Sequence, residues 1–178
     1  MAIIQKKYIG LLGGSFDPAH KGHLGISKIA LKKLKLKKIY WVITKRNPFK
    51  SKSFYSLNER IKYAKKIIRA QKKIEIIYLE DIIKSSRIID IIIYFIKKKK
   101  IKNISFILGS DNLMQFHKWK SWKKIVKLAK LVVFSRKGYD RKSKKTIVVK
   151  YLNKNNITFI KNKPIEVSSS FLRKRVKI

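Results

Sequence analysis

An apolar run, Tyr8-Ile9-Gly10-Leu11-Leu12, passes into Gly13-Gly14-Ser15-Phe16-Asp17-Pro18-Ala19-His20-Lys21-Gly22-His23. The segment after it, Leu24 to Leu34, sets Ile26, Ile29, Ala30 and Leu34 on one helical face. A buried strand, a glycine-rich turn and a helix in that order point to an α/β arrangement. The glycines are expected at the turn itself, where the backbone comes close to a ligand, and the helix start offers unpaired N–H groups and positive dipole charge to an anion. Asp17-Pro18 marks a turn before the helix. His20 and His23, three residues apart, fall on the first helical turn and can donate hydrogen bonds to one polyphosphate. No Gly-Lys-Ser/Thr follows at the Walker spacing, and no downstream glycine completes the dinucleotide fingerprint. The segment reads as a nucleotide grip of another kind.

Strand-like runs recur at Ile39 to Thr44, Ile74 to Leu79, Ile104 to Leu108 and Leu131 to Phe134, with helical segments between them. That alternation is the pattern of a parallel, doubly wound sheet, and near-continuous apolar strands fit burial on both faces. Ile147 to Val149 and Ile157 to Ile160 are expected to add a last strand or two, after a polar connection from Gly138 through Lys145. Ser56-Leu57-Asn58-Glu59 reads as a capping box opening a helix from Leu57 to Ala70. With 178 residues, no repeat and no linker-like stretch, the chain reads as one α/β domain spanning residues 1–178.

Four stretches carry a resemblance, in order along the chain. Gly13 to His23 resembles the signature of the His-x-Gly-His nucleotidyltransferase superfamily, and His at position 20 resembles the bacterial nicotinate-mononucleotide adenylyltransferases, where phosphopantetheine adenylyltransferases usually have Thr. Trp41 to Lys50 resembles the second strand and substrate loop of that family, Leu108-Gly109-Ser110-Asp111-Asn112-Leu113-Met114-Gln115-Phe116-His117-Lys118-Trp119 its strand-four loop, and Val167-Ser168-Ser169-Ser170-Phe171-Leu172-Arg173 its C-terminal nucleotide motif, at 167–175. The resemblance implies a Rossmann-like fold and transfer of AMP from ATP to nicotinate mononucleotide, with release of pyrophosphate.

The same resemblance implies roles. His20, His23 and Arg173 act on the reacting phosphates; Gly13, Gly14, Ser15, Phe16, Gly109, Asp111, Ser168, Ser169 and Ser170 complete the ATP site, with Asp111 accepting from a ribose hydroxyl. Asn47, Pro48, Lys50, Arg87, Ile88 and Trp119 belong to the acceptor site, Trp119 by stacking on the pyridine ring. A helix N-cap is the alternative for Asp111, and it is compatible with that role. Trp122 reads as core, His117 as surface, and Lys45 as solvated as readily as phosphate-binding. One departure stands out. The family usually has a Tyr-Thr pair shortly before an Asp-Thr, and Arg87-Ile88 occupies the pair's place here. The pyridine carboxylate is then held either by the Arg87 guanidinium or by backbone N–H groups. Magnesium is expected on the ATP phosphates, since it keeps much of its water and needs no protein cage; no metal site of the protein's own is expected.

Charge points elsewhere. Lys and Arg number 47 against 9 Asp and Glu, a net charge of +38, which suits a polyanion partner. The lysines, however, are spread over nearly every helix and loop, and Lys97 to Lys100 sits at an expected helix end, where it suits the dipole. Loose, salt-sensitive RNA binding is expected, with no specific nucleic acid partner. A sister enzyme adenylylating phosphopantetheine or transferring CMP, and a basic RNA-associated protein, are the competing readings. Cysteine is absent, so disulfides and thiolate metal sites are excluded. The start of the chain lacks a signal-peptide core and the longest apolar run falls short of a membrane span, so a soluble, cytoplasmic protein is expected. Oligomeric state is left open, a homo-oligomer included.

Overall fold

In the computed structural model, which describes residues 8–45, 53–152, 156–162 and 169–176, six strands form one sheet. β1 (Tyr8–Gly14), β2 (Lys38–Ile43), β3 (Ile74–Ile77), β4 (Asn103–Gly109), β5 (Lys130–Phe134) and β6 (Ile157–Ile160) lie in the order β3-β2-β1-β4-β5-β6. Every pairing is parallel. The chain winds outward from β1 in one direction, then returns to start β4 on its other side. Connections from β1 and β4 therefore diverge, and a crevice opens at the carboxyl ends of these two strands, the place where open α/β sheets bind ligands.

Strand composition follows from this burial. Alternate residues of one strand serve opposite faces: Ile9 and Leu11 join Ile104, Phe106, Leu131 and Val133 on one side, while Leu12 joins Ile39, Trp41, Ile107 and Val132 on the other. Helices α1 (Lys21–Lys33) and α2 (Leu57–Ile68) contribute Ala30 and Ala64 to the second face. The first face takes Ile89, Ile92 and Phe95 from α4 (Ile88–Lys97), which follows the short α3 (Glu80–Ile83). It also takes Leu113 from α5 (Ser110–Gln115), Phe116 from the 3-10 turn Phe116–Lys118, and Ile125 from α6 (Trp122–Leu128). Gly10, midway along β1, is small for a packing reason: a Cβ there would come within 2.9 Å of both Ile107 and Ile39.

The expected capping box forms, with Ser56 Oγ accepting from the Glu59 N–H and Glu59 accepting from the Ser56 N–H. Two sequence expectations fail. Ile147 to Val149 is not a strand but belongs to helix α8 (Ile147–Tyr151), preceded by the short α7 (Asp140–Ser143). β6 already takes the sheet edge beside β5, and a helix lets Val148 be fully buried while Ile147 faces solvent, so tertiary context overrides β-branched propensity. Nor do Gly13 and Gly14 make the turn. Both are still in β1, paired with Val42 and Ile43. The reversal falls on Ser15 to Ala19, and the left-handed residue is Phe16, with φ of +47°. Such a backbone costs on the order of 1–3 kcal/mol. Burial of the Phe16 ring, stacked on Trp41 at 5.0 Å and 4.7 Å from the His23 ring, offsets that cost. Trp122, expected in the core, is half-buried at its margin and packs edge-on against Tyr151 at 5.1 Å. Among the described residues no helix is long and apolar enough to cross a membrane.

One buried polar contact ties the sheet to α1. The Trp41 indole N–H donates to Ser27 Oγ at 2.8 Å, and that hydroxyl donates to the His23 carbonyl at 2.8 Å. Ser27→Ala leaves a buried donor unmatched, at a cost of about 1–3 kcal/mol. Thermal unfolding should show a midpoint lower by about 2–4 °C for each kcal/mol lost in a chain of this size; an unchanged midpoint would mean that the indole finds another acceptor.

Candidate active site

The crevice is floored by the ends of β1 and β4 and walled by the start of α1. At that start, His20 takes the N-cap position and His23 the third helical position. His20 Nδ1 accepts the Gly22 N–H at 3.1 Å, and His23 Nδ1 accepts the His20 N–H at 3.2 Å. The two imidazoles thus perform the exchange that Ser and Glu perform in an ordinary capping box. Their ring centroids are 3.9 Å apart. An Nδ1 that accepts a backbone proton cannot carry one, so each neutral ring holds its proton on Nε2. Burial, helped by the positive charge of Arg136, pushes the His20 pKa down to about 4. At neutral pH His20 is an uncharged N–H donor.

Across the crevice, β4 ends at Gly109, which is the N-cap of α5; Asp111 is not the cap but lies in the first turn. Its carboxylate folds over Gly109 so closely that a Cβ on that glycine would displace Oδ1 from its present position. Oδ2 accepts from Arg136 at 2.8 Å, while Oδ1 is buried with no hydrogen-bond partner among the described residues. A buried carboxylate oxygen without a partner is uncommon, and this one lies just past the end of β4. Arg136, just past the end of β5, was not singled out from the sequence. Its backbone N–H is held by Ser110 Oγ and Asp140 Oδ1, both at 2.9 Å, so the guanidinium leaves from a fixed point between Asp111 and His20.

The third wall is α9 (Ser169–Val176), as the motif Ser169-Ser170 with Arg173 implied. Ser169 Oγ donates to the Pro18 carbonyl at 2.9 Å, Arg173 donates to the Asp17 carbonyl, and Arg173 also reaches Ser170 Oγ at 3.1 Å. The helix start is therefore docked on the loop that leads into α1. Asp17, buried, accepts the N–H groups of Phe54 and Tyr55 at 2.8 and 2.9 Å and lies 3.8 Å from the Arg173 guanidinium. It too was read in the sequence only as a turn residue.

Other candidates are less tightly gathered. Trp119 follows the 3-10 turn and is half-buried, its ring 5.1 Å from Phe116 and 6.0 Å from Phe106. His117, expected at the surface, is half-buried, and its Nδ1 is enclosed with no partner among the described residues. Arg87 is exposed at the N-cap of α4, beside Ile88, and lines with Lys84, Asp90 and Lys97 a groove of about 710 Å³. Asn47, Pro48, Lys50 and Ser168 lie outside the described residues. Among the described residues no cluster of three or more His, Asp or Glu could hold a metal ion.

With this geometry established, comparison with known proteins is specific. The cytidylyltransferase-like family model matches residues 11–175. A protein of Pelagibacter ubique (strain HTCC1062) named "Probable nicotinate-nucleotide adenylyltransferase" is 52% identical over 170 residues, covering 96% of this chain and 94% of its own. One of the same name from Bradyrhizobium sp. (strain ORS 278) is 40% identical over 129 residues, covering 72% of this chain and 67% of its own. Among solved structures, the Plasmodium falciparum nicotinic acid mononucleotide adenylyltransferase complexed with NaAD superposes with a TM-score of 0.77 at 22% identity, covering 94% of this chain and 83% of that one, and shares the fold. Matched by that family model over residues 11–175 and by the Pelagibacter relative over 96% of its length, the chain belongs to the cytidylyltransferase-like family, among the nicotinate-nucleotide adenylyltransferases.

Proposed function

We propose that the protein transfers AMP from ATP to nicotinate mononucleotide, giving nicotinate adenine dinucleotide and pyrophosphate, in the cytoplasm and as a single domain. The observation that carries this reading is the reciprocal His20–His23 cap, which commits both Nδ1 atoms to backbone N–H groups and so leaves the proton of each neutral ring on Nε2, at a helix N-terminus in the crevice. In the reaction an oxygen of the mononucleotide phosphate attacks the α-phosphorus of ATP, the new P–O bond forms, and the bond from Pα to the bridging oxygen breaks. The nucleophile is already an oxyanion, so no general base is required. Catalysis is alignment of two phosphates together with stabilisation of charge on the leaving pyrophosphate.

The roles follow from position. His20 and His23 donate to the triphosphate, with the α1 amides behind them. Arg136 faces the same anion, and Arg173 exchanges its Asp17 carbonyl contact for a phosphate. Gly13, Gly14, Ser15 and Phe16 line the approach, and Ser168, Ser169 and Ser170 supply the second helix terminus. Asp111 Oδ1 accepts from the adenosine ribose above Gly109. Magnesium enters on the ATP phosphates with much of its water retained, which suits a site whose donors are imidazole and guanidinium rather than grouped carboxylates. Trp119 stacks on the pyridine ring, and Asn47, Pro48 and Lys50 complete the acceptor loop. The Arg87 N–H is taken by Ser85 Oγ at 3.2 Å, but the start of α4 has no side-chain cap, so recognition of the nicotinate carboxylate falls to the amides that follow, from Ile88 on. The lysine surface draws in anionic substrates without selecting among them.

Pyrophosphate release from ATP and magnesium, measured with nicotinate mononucleotide, nicotinamide mononucleotide and phosphopantetheine, tests the reading; a preference for phosphopantetheine would replace it with the sister activity. His20→Ala and His23→Ala should each lower turnover by about 10²-fold or more, the scale of a lost oxyanion donor, and wild-type turnover in the double variant would remove the proposed grip. His20 titrates in a different range from an ordinary histidine. Its folded pKa lies below the unfolded 6.5, so the neutral ring contributes stability above pH 6.5 that is lost as the pH falls toward 4. NMR of the ligand-free protein should give a His20 midpoint near 4, and a midpoint near 6.5 would contradict the burial. For Arg87→Ala, the ratio of kcat/KM for the nicotinate over the nicotinamide acceptor should stay within about threefold of wild type. Loss of a working charge-assisted bond would instead cost about 1.5–3 kcal/mol, a tenfold or greater fall, and would assign the carboxylate to the guanidinium.

A further inference from the structure

Arg60, in the second turn of α2, is only 1% exposed, and no carboxylate makes a salt bridge with it among the described residues. Its guanidinium ends among backbone carbonyls instead. Nε donates to the Tyr55 carbonyl at 3.2 Å, one terminal nitrogen donates to Ser15 and to Thr44, each at 2.7 Å, and the other donates to Lys45 at 2.9 Å. Burial draws its pKa down, and the charges of Asp17 and Glu80 nearby oppose that fall. Burying a charge with only neutral partners is costly, and a packing role could be filled by an apolar residue at lower cost. What an apolar residue or a lysine cannot do is bind four carbonyls diverging in space, which needs a planar fork with five donors.

The four carbonyls belong to three separate segments. Ser15 leaves β1 toward the imidazole pair, Thr44 and Lys45 leave β2 toward residues 46–52, and Tyr55 enters α2. The sheet itself sets the distance between the first two only as far as the Thr44 N–H, which donates to the Gly14 carbonyl at 3.1 Å. Beyond that bond Arg60 spans the gap. Asp17 holds the other side of the same junction through the Phe54 and Tyr55 amides.

We propose that Arg60 is a positioning residue for adenylyl transfer: its guanidinium sets the loop after β1, which carries the nucleotide, against the loop after β2, which carries the acceptor, and so holds the two phosphates at reacting distance. This rests on the proposed function for which loop carries which substrate. The residue touches neither reactant. Its removal acts on alignment, where a shift of about 1 Å can cost 10²-fold in rate.

The test compares Arg60→Lys and Arg60→Ala with wild type by circular dichroism, ATP calorimetry, steady-state kinetics and amide hydrogen exchange. Both variants should remain folded and bind ATP within about threefold of wild type, yet lose about 10²-fold in kcat at saturating substrates. Guanidinium well below denaturing concentration should restore part of the turnover of Arg60→Ala, where equal sodium chloride or urea does not. Exchange at residues 15–17 and 44–45 should rise together while α4 stays protected. Unchanged kcat in a folded variant would overturn the proposal, as would a rate loss matched by lost ATP affinity. Failure of both variants to fold would make Arg60 structural and overturn it equally. Wild-type protein inactive with every acceptor would instead defeat the functional reading, and the paired rise in exchange would still decide whether Arg60 couples the two loops.

Discussion

An α-helix leaves its first N–H groups without partners, and something must accept from them. At the start of α1 the acceptors are the Nδ1 atoms of His20 and His23. Ser or Asp in those places would cap equally well, but each would end at the backbone. An imidazole has a second nitrogen on its far side, so the same bond that begins the helix fixes the tautomer and leaves that nitrogen a donor. The Phe16 ring, stacked on Trp41 and packed at a tilt against His23, backs the His23 imidazole, and the Trp41–Ser27–His23 contact ties that cluster to the central sheet. The left-handed backbone at Phe16 belongs to the same design, since it swings the ring back under the helix it precedes.

Scarcity of negative charge makes the use of each carboxylate informative. Of the 9 acidic residues, all except Glu166 lie within the described residues. Glu59 closes the cap of α2, Glu75 pairs with Lys38, Asp81 accepts from Tyr78 and Asp90 accepts from Ser85. The other four sit around the crevice: Asp17 on the Phe54 and Tyr55 amides, Glu80 on the Lys45 amide, Asp111 on Arg136, and Asp140 on Ser110 and the Arg136 amide. Among the described residues each carboxylate is engaged, in a helix cap, a side-chain pair or a loop junction. The lysines follow the opposite logic. Lys32 and Lys33, Lys65 and Lys66, and Lys97 occupy last helical turns, where a positive charge is favourable and no partner is needed.

The strands, their parallel pairing and the helix-start imidazoles were legible because each leaves a local signal: a continuous apolar run, a 3.6-residue period, a motif with fixed spacing. Ile147 to Val149 shows where that fails, since β-branched residues carry the same local signal whether the sheet has room for them or not. Arg60, Arg136 and Asp17 were invisible for a different reason. In a chain with 47 basic residues an individual Arg stands out from no background, and Asp17 looks like any turn residue beside a proline; what distinguishes Arg60 and Asp17 is burial, and all three contact segments at least 15 residues away. The glycine motif was recognised for the right region with the wrong geometry: its function lies in letting the strand run to its end beside Val42 and Ile43, with the turn delegated to Phe16.

The net charge of +38 and the crevice act over different distances. At physiological salt the field of a solvated lysine decays over about 8 Å, so most of the surface contributes to the encounter of an anion with the protein and little to its final position. Inside the crevice the donors work at about 3 Å, partly desolvated, where each charge-assisted bond is worth several times a solvated ion pair. Selectivity between a nucleotide and any other polyanion therefore cannot come from the lysines. Under the proposed function it comes from pieces that a diffuse field lacks: an uncharged His20 N–H with a fixed direction, and an Asp111 oxygen left without a partner among the described residues. In that proposed reading a carboxylate acceptor within so basic a surface disfavours a ligand that has only phosphate to offer, and favours one whose phosphates and sugar hydroxyl are spaced to meet both kinds of group.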